Sequence, residues 1–259
     1  MVKDKSYKRE ITHEQYTFKS EAAKEIGIVN KLNKEITHNK VISDRENVEY
    51  SYYLNLGQLD KFLKIITDQN TFPLFGAITF FIIIIIIVGV IKFPNDAKSI
   101  SFIFWSLFSI SGFIYFVFYY FKTPLKEKIL NREESLITFP GFMWKNNITM
   151  SIHDVEFTYS QPSAQGIGAY QLRIVRPDKI FSGGIFGFGG TCYEDLSFIL
   201  WYMDKNRPLP PGNIFDEFRK RDFERRKAAG FPKPLFPSRF DTPEATLEQQ
   251  AERVRIGGW

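Results

Sequence analysis

The chain has 259 residues, with 34 Lys and Arg against 29 Asp and Glu and a net charge of +5. That length holds one or two domains, and the mild basic balance lacks the dense basic stripe by which proteins grip nucleic acid. A mean hydropathy of −0.19 hides a split between two intensely apolar windows and a polar remainder. The single cysteine, Cys192, excludes an intrachain disulfide and suits a reducing compartment.

The first residues, MVKDKSYKREITHEQY, are charged and carry no apolar run, so no cleavable secretory signal is expected. Residues 1–70 read as a polar, partly helical cytoplasmic region. Ala23, Ile26, Val29 and Leu32 recur every third residue within Ser20–Ile36 and predict a weak amphipathic helix. Leu59, Phe62, Ile65 and Ile66 predict a second one entering the first apolar window. A short duplication, EITHE from Glu10 and EITHN from Glu35, places His13 and His38 alike. Paired metal ligands would need further ligands at metal-site spacing, so the expectation is chance or two similar local turns.

Residues 71–91, TFPLFGAITFFIIIIIIVGVI, carry no charge, and neither do residues 100–121, ISFIFWSLFSISGFIYFVFYYF. Each is long enough to cross a hydrocarbon core of about 30 Å as a helix, the form that pairs its own backbone in lipid. Only KFPNDAKS joins them, which predicts an antiparallel transmembrane hairpin over 71–121. Ser106, Ser109, Ser111 and Gly112 admit a close neighbour, either the other span or a second copy of the hairpin. Trp105 toward one end and Tyr115, Tyr119 and Tyr120 toward the other look like interfacial belts. Lys61 and Lys64 before the hairpin, and Lys122, Lys126, Lys128 and Arg132 after it, outweigh Lys92 and Lys98 in the turn. Both termini are therefore expected in the cytoplasm. Neither window holds an ionisable residue of the kind that lines ion pathways, which speaks against a channel or transporter.

Strands are predicted after a short basic connector. LITF ends at Pro140, alternation runs through Val155, Phe157 and Tyr159, and Tyr170–Phe186 reads as a hairpin. Tyr193–Lys205 reads as a helix stopped by NRPLPPG. The order in ITFPGFMWKNNITMSIHDVEFTY, then a Tyr-Gln-Leu-Arg strand and a closing helix, resembles a bacterial pleckstrin-homology-like domain. That resemblance implies an antiparallel β module over residues 122–207. The tail, from WYMDKNRPLPPG through DFERRKAAGFPKP to TPEATLEQQAER, resembles the C-terminus of a family of Gram-negative membrane proteins linked to type VI secretion toxin loci. The resemblance implies an inner-membrane immunity protein whose partner is a cognate toxin, and it transfers no catalytic residue.

Read physically, residues 208–259 form a Pro-rich, charged tail. Asn213–Ala229 predicts a charged helix with Phe215, Phe218 and Phe223 as a narrow stripe that docks it. FPKPLFPSRF is extended, since its prolines forbid helix. Thr242-Pro243-Glu244 predicts the start of a last helix ending near Gly257. Arg219, Arg221, Arg225 and Arg226, with Phe215 and Phe218, are a candidate interaction surface for a protein or for anionic lipid head groups. Phe186 and Phe188 in SGGIFGFGGT form the other candidate.

Those glycines precede a helix, where proteins cradle phosphates. No Lys or Arg lies between Phe181 and Asp195, however, and Glu194 and Asp195 would repel a phosphate in the first turn. Neither a nucleotide nor any other cofactor is expected. Cys192, His153 and Asp154 could in principle form a nucleophile and its base, but a buried thiol at a helix start is the commoner arrangement. The reading is an α+β membrane protein that binds rather than catalyses: an immunity protein, or alternatively a membrane-anchored lipid-binding scaffold.

Overall fold

The computed structural model describes residues 10–16, 30–41, 53–54, 59–66, 71–90, 100–160, 170–177, 184–186 and 190–259. In chain order these form strands β1 (Asn30–Lys31), β2 (Tyr53–Leu54) and β3 (Phe62–Ile66), then helices α1 (Thr71–Val90) and α2 (Ile100–Lys122). Strands β4 (Glu127–Asn131), β5 (Leu136–Phe139), β6 (Ile148–Ser151), β7 (Phe157–Ser160), β8 (Gln171–Ile174) and β9 (Gly184–Ile185) follow. Helix α3 (Cys192–Met203), a 3-10 turn (Asn213–Phe215), α4 (Asp216–Ala228) and α5 (Leu247–Gly257) complete the chain. The fold is α+β in two compact units. One gathers Met1–Ile66, Glu127–Pro140 and Asn147–Trp259; the other gathers Thr67–Lys126 and Gly141–Asn146.

The first unit is built on two antiparallel sheets, ordered β2-β3-β4-β5-β6 and β1-β7-β8-β9. Register explains the first. Leu63 faces Leu130, Leu130 faces Ile137 and Ile137 faces Met150, so one apolar row runs across four strands. All four side chains are fully buried, each contributing about 1.5–3 kcal/mol of transfer free energy. On that sheet the hydroxyls of Thr138 and Thr149 face each other at 2.8 Å and satisfy one another. Helix α3 touches β4 and β8, one strand from each sheet, and closes the core with Leu196, Phe198, Ile199, Leu200 and Trp201.

The structure corrects the sequence reading at several places. Phe62–Ile66 is a strand rather than an amphipathic helix. Leu63 is buried, and Lys64 reaches Glu127 of β4 at 2.5 Å, the alternation of a strand. Its partner β4 lies beyond α2 in sequence, so the pairing has no local signature. The β module therefore begins before the apolar helices in sequence, not at residue 122. The predicted helix Ser20–Ile36 falls mostly outside the described residues. Its described end is extended: β1 pairs with β7, Leu32 donates to Phe157 O, and Ile36 bridges Ser238. The last helix starts at Leu247 with Thr246 as its cap, not at Thr242. Thr242 instead serves Arg207 and Arg253 as a hydrogen-bond acceptor.

In the second unit α1 and α2 pack antiparallel through reciprocal glycine contacts. A Cβ on Gly76 would lie 2.5 Å from the Phe116 ring, and one on Gly112 would run into the Phe80 ring. Phe80 and Phe116 stack on each other at 5.7 Å, so neither ring is free to yield. Ser109, predicted as one of the small contact residues, is buried and donates to Trp105 O. Small residues in such a seam let bulky partners approach closely. Gly112→Val is expected to force the helices apart. Pulsed electron paramagnetic resonance between spin labels at Ile85 and Ile103 should then show a longer, broader distance distribution than in the parent.

Candidate functional site

Helix α3 opens with a capping box. Thr191 Oγ1 accepts from Glu194 N at 3.3 Å, and Glu194 accepts from Thr191 N at 2.9 Å. Asp195 accepts from Gly190 N and pairs with Lys40. The backbone donors that could have held a phosphate thus face the helix's own carboxylates. Those backbone hydrogen bonds hold the Glu194 carboxyl below its ordinary value. Phe186 is 1% exposed, beneath the Lys128 amine at 5.6 Å, so it closes the core and is not an interaction surface. Burial lowers the Lys128 amine to about 8. Phe188 lies outside the described residues.

Cys192 is buried, its thiol is raised by burial, and its backbone N–H donates to Tyr170 O. His153 stacks on Phe236 at 5.5 Å. No hydrogen bond joins Cys192 to His153, so the structure does not assemble a nucleophile with its base. His13 and His38 each place Nδ1 2.9 Å from the hydroxyl of the preceding threonine. Among the described residues no three His, Cys, Asp or Glu side chains gather as a metal site.

Of the arginines expected to form a basic surface on α4, Arg226 is buried, whereas Arg221 and Arg225 keep 57% and 42% of their side chains exposed while bonding within the chain. Phe215 and Phe218 are buried in the main core, and Phe223 is buried against Phe231, which is how the helix docks. Arg219 donates to the carbonyls of Leu209, Pro210 and Gly212 as well as to Asp216. Arg221 grips Asp60 with two nitrogens. Arg225 reaches Asp222 and Lys205 O. Arg226 is 1% exposed, donating to Asp222 at 2.9 Å and to both oxygens of Glu244 at 2.7 Å. Phe186, Phe215, Phe218 and Arg226 are therefore interior, and Arg219, Arg221 and Arg225 are engaged in intramolecular bonds.

Sequence reading missed the network these residues enter. Arg132, directly after β4, is fully buried; it donates to Tyr202 O, to Arg207 O at 2.5 Å and to Asp222 at 3.3 Å. Arg207 binds Asp204 at 3.0 Å, Thr242 Oγ1 at 3.0 Å and Phe236 O at 2.6 Å. Arg253 of α5 reaches Thr242 O at 2.9 Å and Glu244 at 3.3 Å. Burial raises the Asp222 carboxyl, but Arg132, Arg226 and Arg225 together outweigh it and hold the group below its ordinary 3.8. The tail is thereby tied into the first unit. Its extended strap bridges Ser238 to Ile36, and Arg239 forks onto Glu35 at 2.9 and 3.0 Å.

Open grooves among the described residues include two beside this scaffold. One of about 550 Å³ lies between Tyr16, Leu32, Lys34, His153 and Glu156. The other, of about 360 Å³, is lined by Trp201, Leu209, Pro211, Arg219 and Pro243. In the second unit, Phe102–Lys122 is long and apolar enough to cross a membrane, while the apolar stretch Phe72–Val88 of its partner is shorter. No family model, no curated protein and no solved structure matches the chain.

Glu244→Gln is expected to cost about 3–5 kcal/mol of unfolding free energy, because it leaves buried guanidiniums unmatched. Replacing the pair together, Arg226→Met with Glu244→Met, should recover much of that. Denaturant titration of the full chain in detergent measures both.

Acid should weaken the same network. A carboxyl held below its ordinary value contributes stability that is complete above its unfolded pKa of about 3.9 and is lost as pH falls through the folded value. Unfolding free energy should therefore drop below about pH 4, and Asp222→Asn should flatten that slope.

Proposed function

We propose that the chain is a membrane-held binding protein of the immunity type, which protects its cell by occluding a cognate toxin at the inner membrane. The observation that carries the membrane part is the register pair Ile66 and Glu127. The 60 residues between them, 67–126, leave the sheet and return to neighbouring positions, with an apolar helix in between, charged only at its last residue Lys122, that is long enough to cross. A segment that starts and ends at one place crosses an even number of times, which supports two spans with both termini on one side. The reading of the first unit as a pleckstrin-homology-like domain is supported by its order: β3 to β6 as a meander, β7 to β9 in a second sheet, then α3. In that reading the hairpin is inserted after the first strand.

The step from binding protein to immunity protein rests on the likeness of the tail, WYMDKNRPLPPG to TPEATLEQQAER, to proteins of toxin loci. With the arginines of α4 engaged internally, lipid head-group binding through that helix is the weaker reading. The exposed apolar residues of α5, Leu247 at 88% and Val254 at 51%, lie on one face and suit contact with a protein.

Deleting the gene and competing the mutant against its toxin-bearing parent should sharply lower the mutant's survival. Leu247→Asp with Val254→Asp should reproduce the loss while the protein still accumulates. Unchanged survival of the deletion strain removes the immunity reading.

A further inference from the structure

Loop Gly141–Asn146, which joins β5 to β6, packs within the second unit against α2. Trp144 meets Tyr115 at 6.5 Å and Tyr119 at 6.3 Å, both edge to face. The Tyr115 hydroxyl points at the Met143 sulfur, 3.8 Å away. Tyr115 and Tyr119 stack on one another at 6.2 Å, so four side chains make one aromatic and thioether cluster. Measured along the helix, the cluster sits roughly 5–10 Å before Lys122, the last residue of α2.

The loop is built to hold this position. Lys126, 6% exposed, donates to Gly141 O at 3.0 Å and to Lys145 O, which clamps both ends. Gly141 approaches Asn146 O so closely that a Cβ has no room. Met143 takes a left-handed φ of 46°, a conformation disfavoured for its side chain. This strained, clamped turn presents Trp144 at 48% exposure beside an apolar helix that is itself almost wholly uncovered. A large exposed indole is costly in water but favoured at the boundary of head groups and acyl chains, where amphipathic aromatics collect.

We infer that this loop is a second membrane-contact site: Met143 and Trp144 insert beside α2 into the head-group and acyl boundary. The occupant is the bilayer, because the cluster continues the apolar surface of α2 at the depth of its own interfacial tyrosines. This inference rests on the membrane-spanning reading of α2. Its neighbour Trp105, near the other end of that helix, gives an independent report on the span.

The full chain is reconstituted into phosphatidylcholine and phosphatidylglycerol vesicles containing lipids brominated close to the head group, and tryptophan quenching is read. Trp201, buried in the first unit, serves as the unquenched reference. The quenched emission should contain one share removed by Trp105→Phe and another removed by Trp144→Phe, with circular dichroism unchanged in both. If Trp105→Phe removes quenching and Trp144→Phe does not, the span stands and the loop insertion is overturned. If neither variant changes the quenching, the spanning reading fails and the insertion fails with it.

Discussion

The first unit depends on the burial of guanidinium groups. Arg132, Arg207, Arg226 and Arg253 lie at 7% side-chain exposure or less, and arginine keeps its proton at any physiological pH. An unpaired buried charge costs several kcal/mol, so each must find acceptors in place. No local segment can supply them. Asp222 comes from α4, Glu244 from the turn after the strap, Asp204 from the end of α3 and the carbonyls from the loop between. The sheets and the tail must therefore close together, and neither is satisfied without the other.

That closure changes what the surface offers. As a sequence, α4 is a basic helix suited to anionic partners. In place, Arg226 faces inward, Arg219 ties down the preceding turn, and Arg221 reaches across to Asp60 before β3. Acidic residues in the first turn of α4 and basic ones in its last turn also complement the helix dipole. The charge is structural, and the apolar residues left outside, such as Leu247 and Val254, become the more informative part of the surface.

Legibility from sequence followed the range of the interactions. Helix α3 could be read to within two residues, because its cap, its apolar run and the prolines after it are all local. The apolar windows were legible for the same reason, as was the docking of α4 by Phe218 and Phe223. The extended strap followed from proline chemistry alone. What escaped were pairings across sequence. Phe62–Ile66 has a helical spacing of apolar residues, and only its ladder with β4 makes it a strand. Leu32 and Ile36 likewise suit a helix until β7 and Ser238 claim their backbones. Thr242 carries the local marks of a helix cap, but Arg207 and Arg253 use its oxygens first. The charge network was hidden most thoroughly, since the two ends of the Arg132–Asp222 contact lie 90 positions apart.

The same long-range pairing bears on how the apolar helices are held. β3 and β4 flank them in sequence and pair over five positions, from Phe62 with Asn131 to Ile66 with Glu127. Closing a long loop carries an entropic cost that grows slowly with its length. Here the glycine seam of α1 and α2 already brings the two ends of the excursion to one side, so little of that cost falls on the sheet. A hairpin that depended on its own interface alone would rest on two glycines and their phenylalanines. With its ends joined by a five-position strand pair, the chain enters and leaves the helical pair from neighbouring positions of one sheet, so the ladder fixes where the excursion begins and ends.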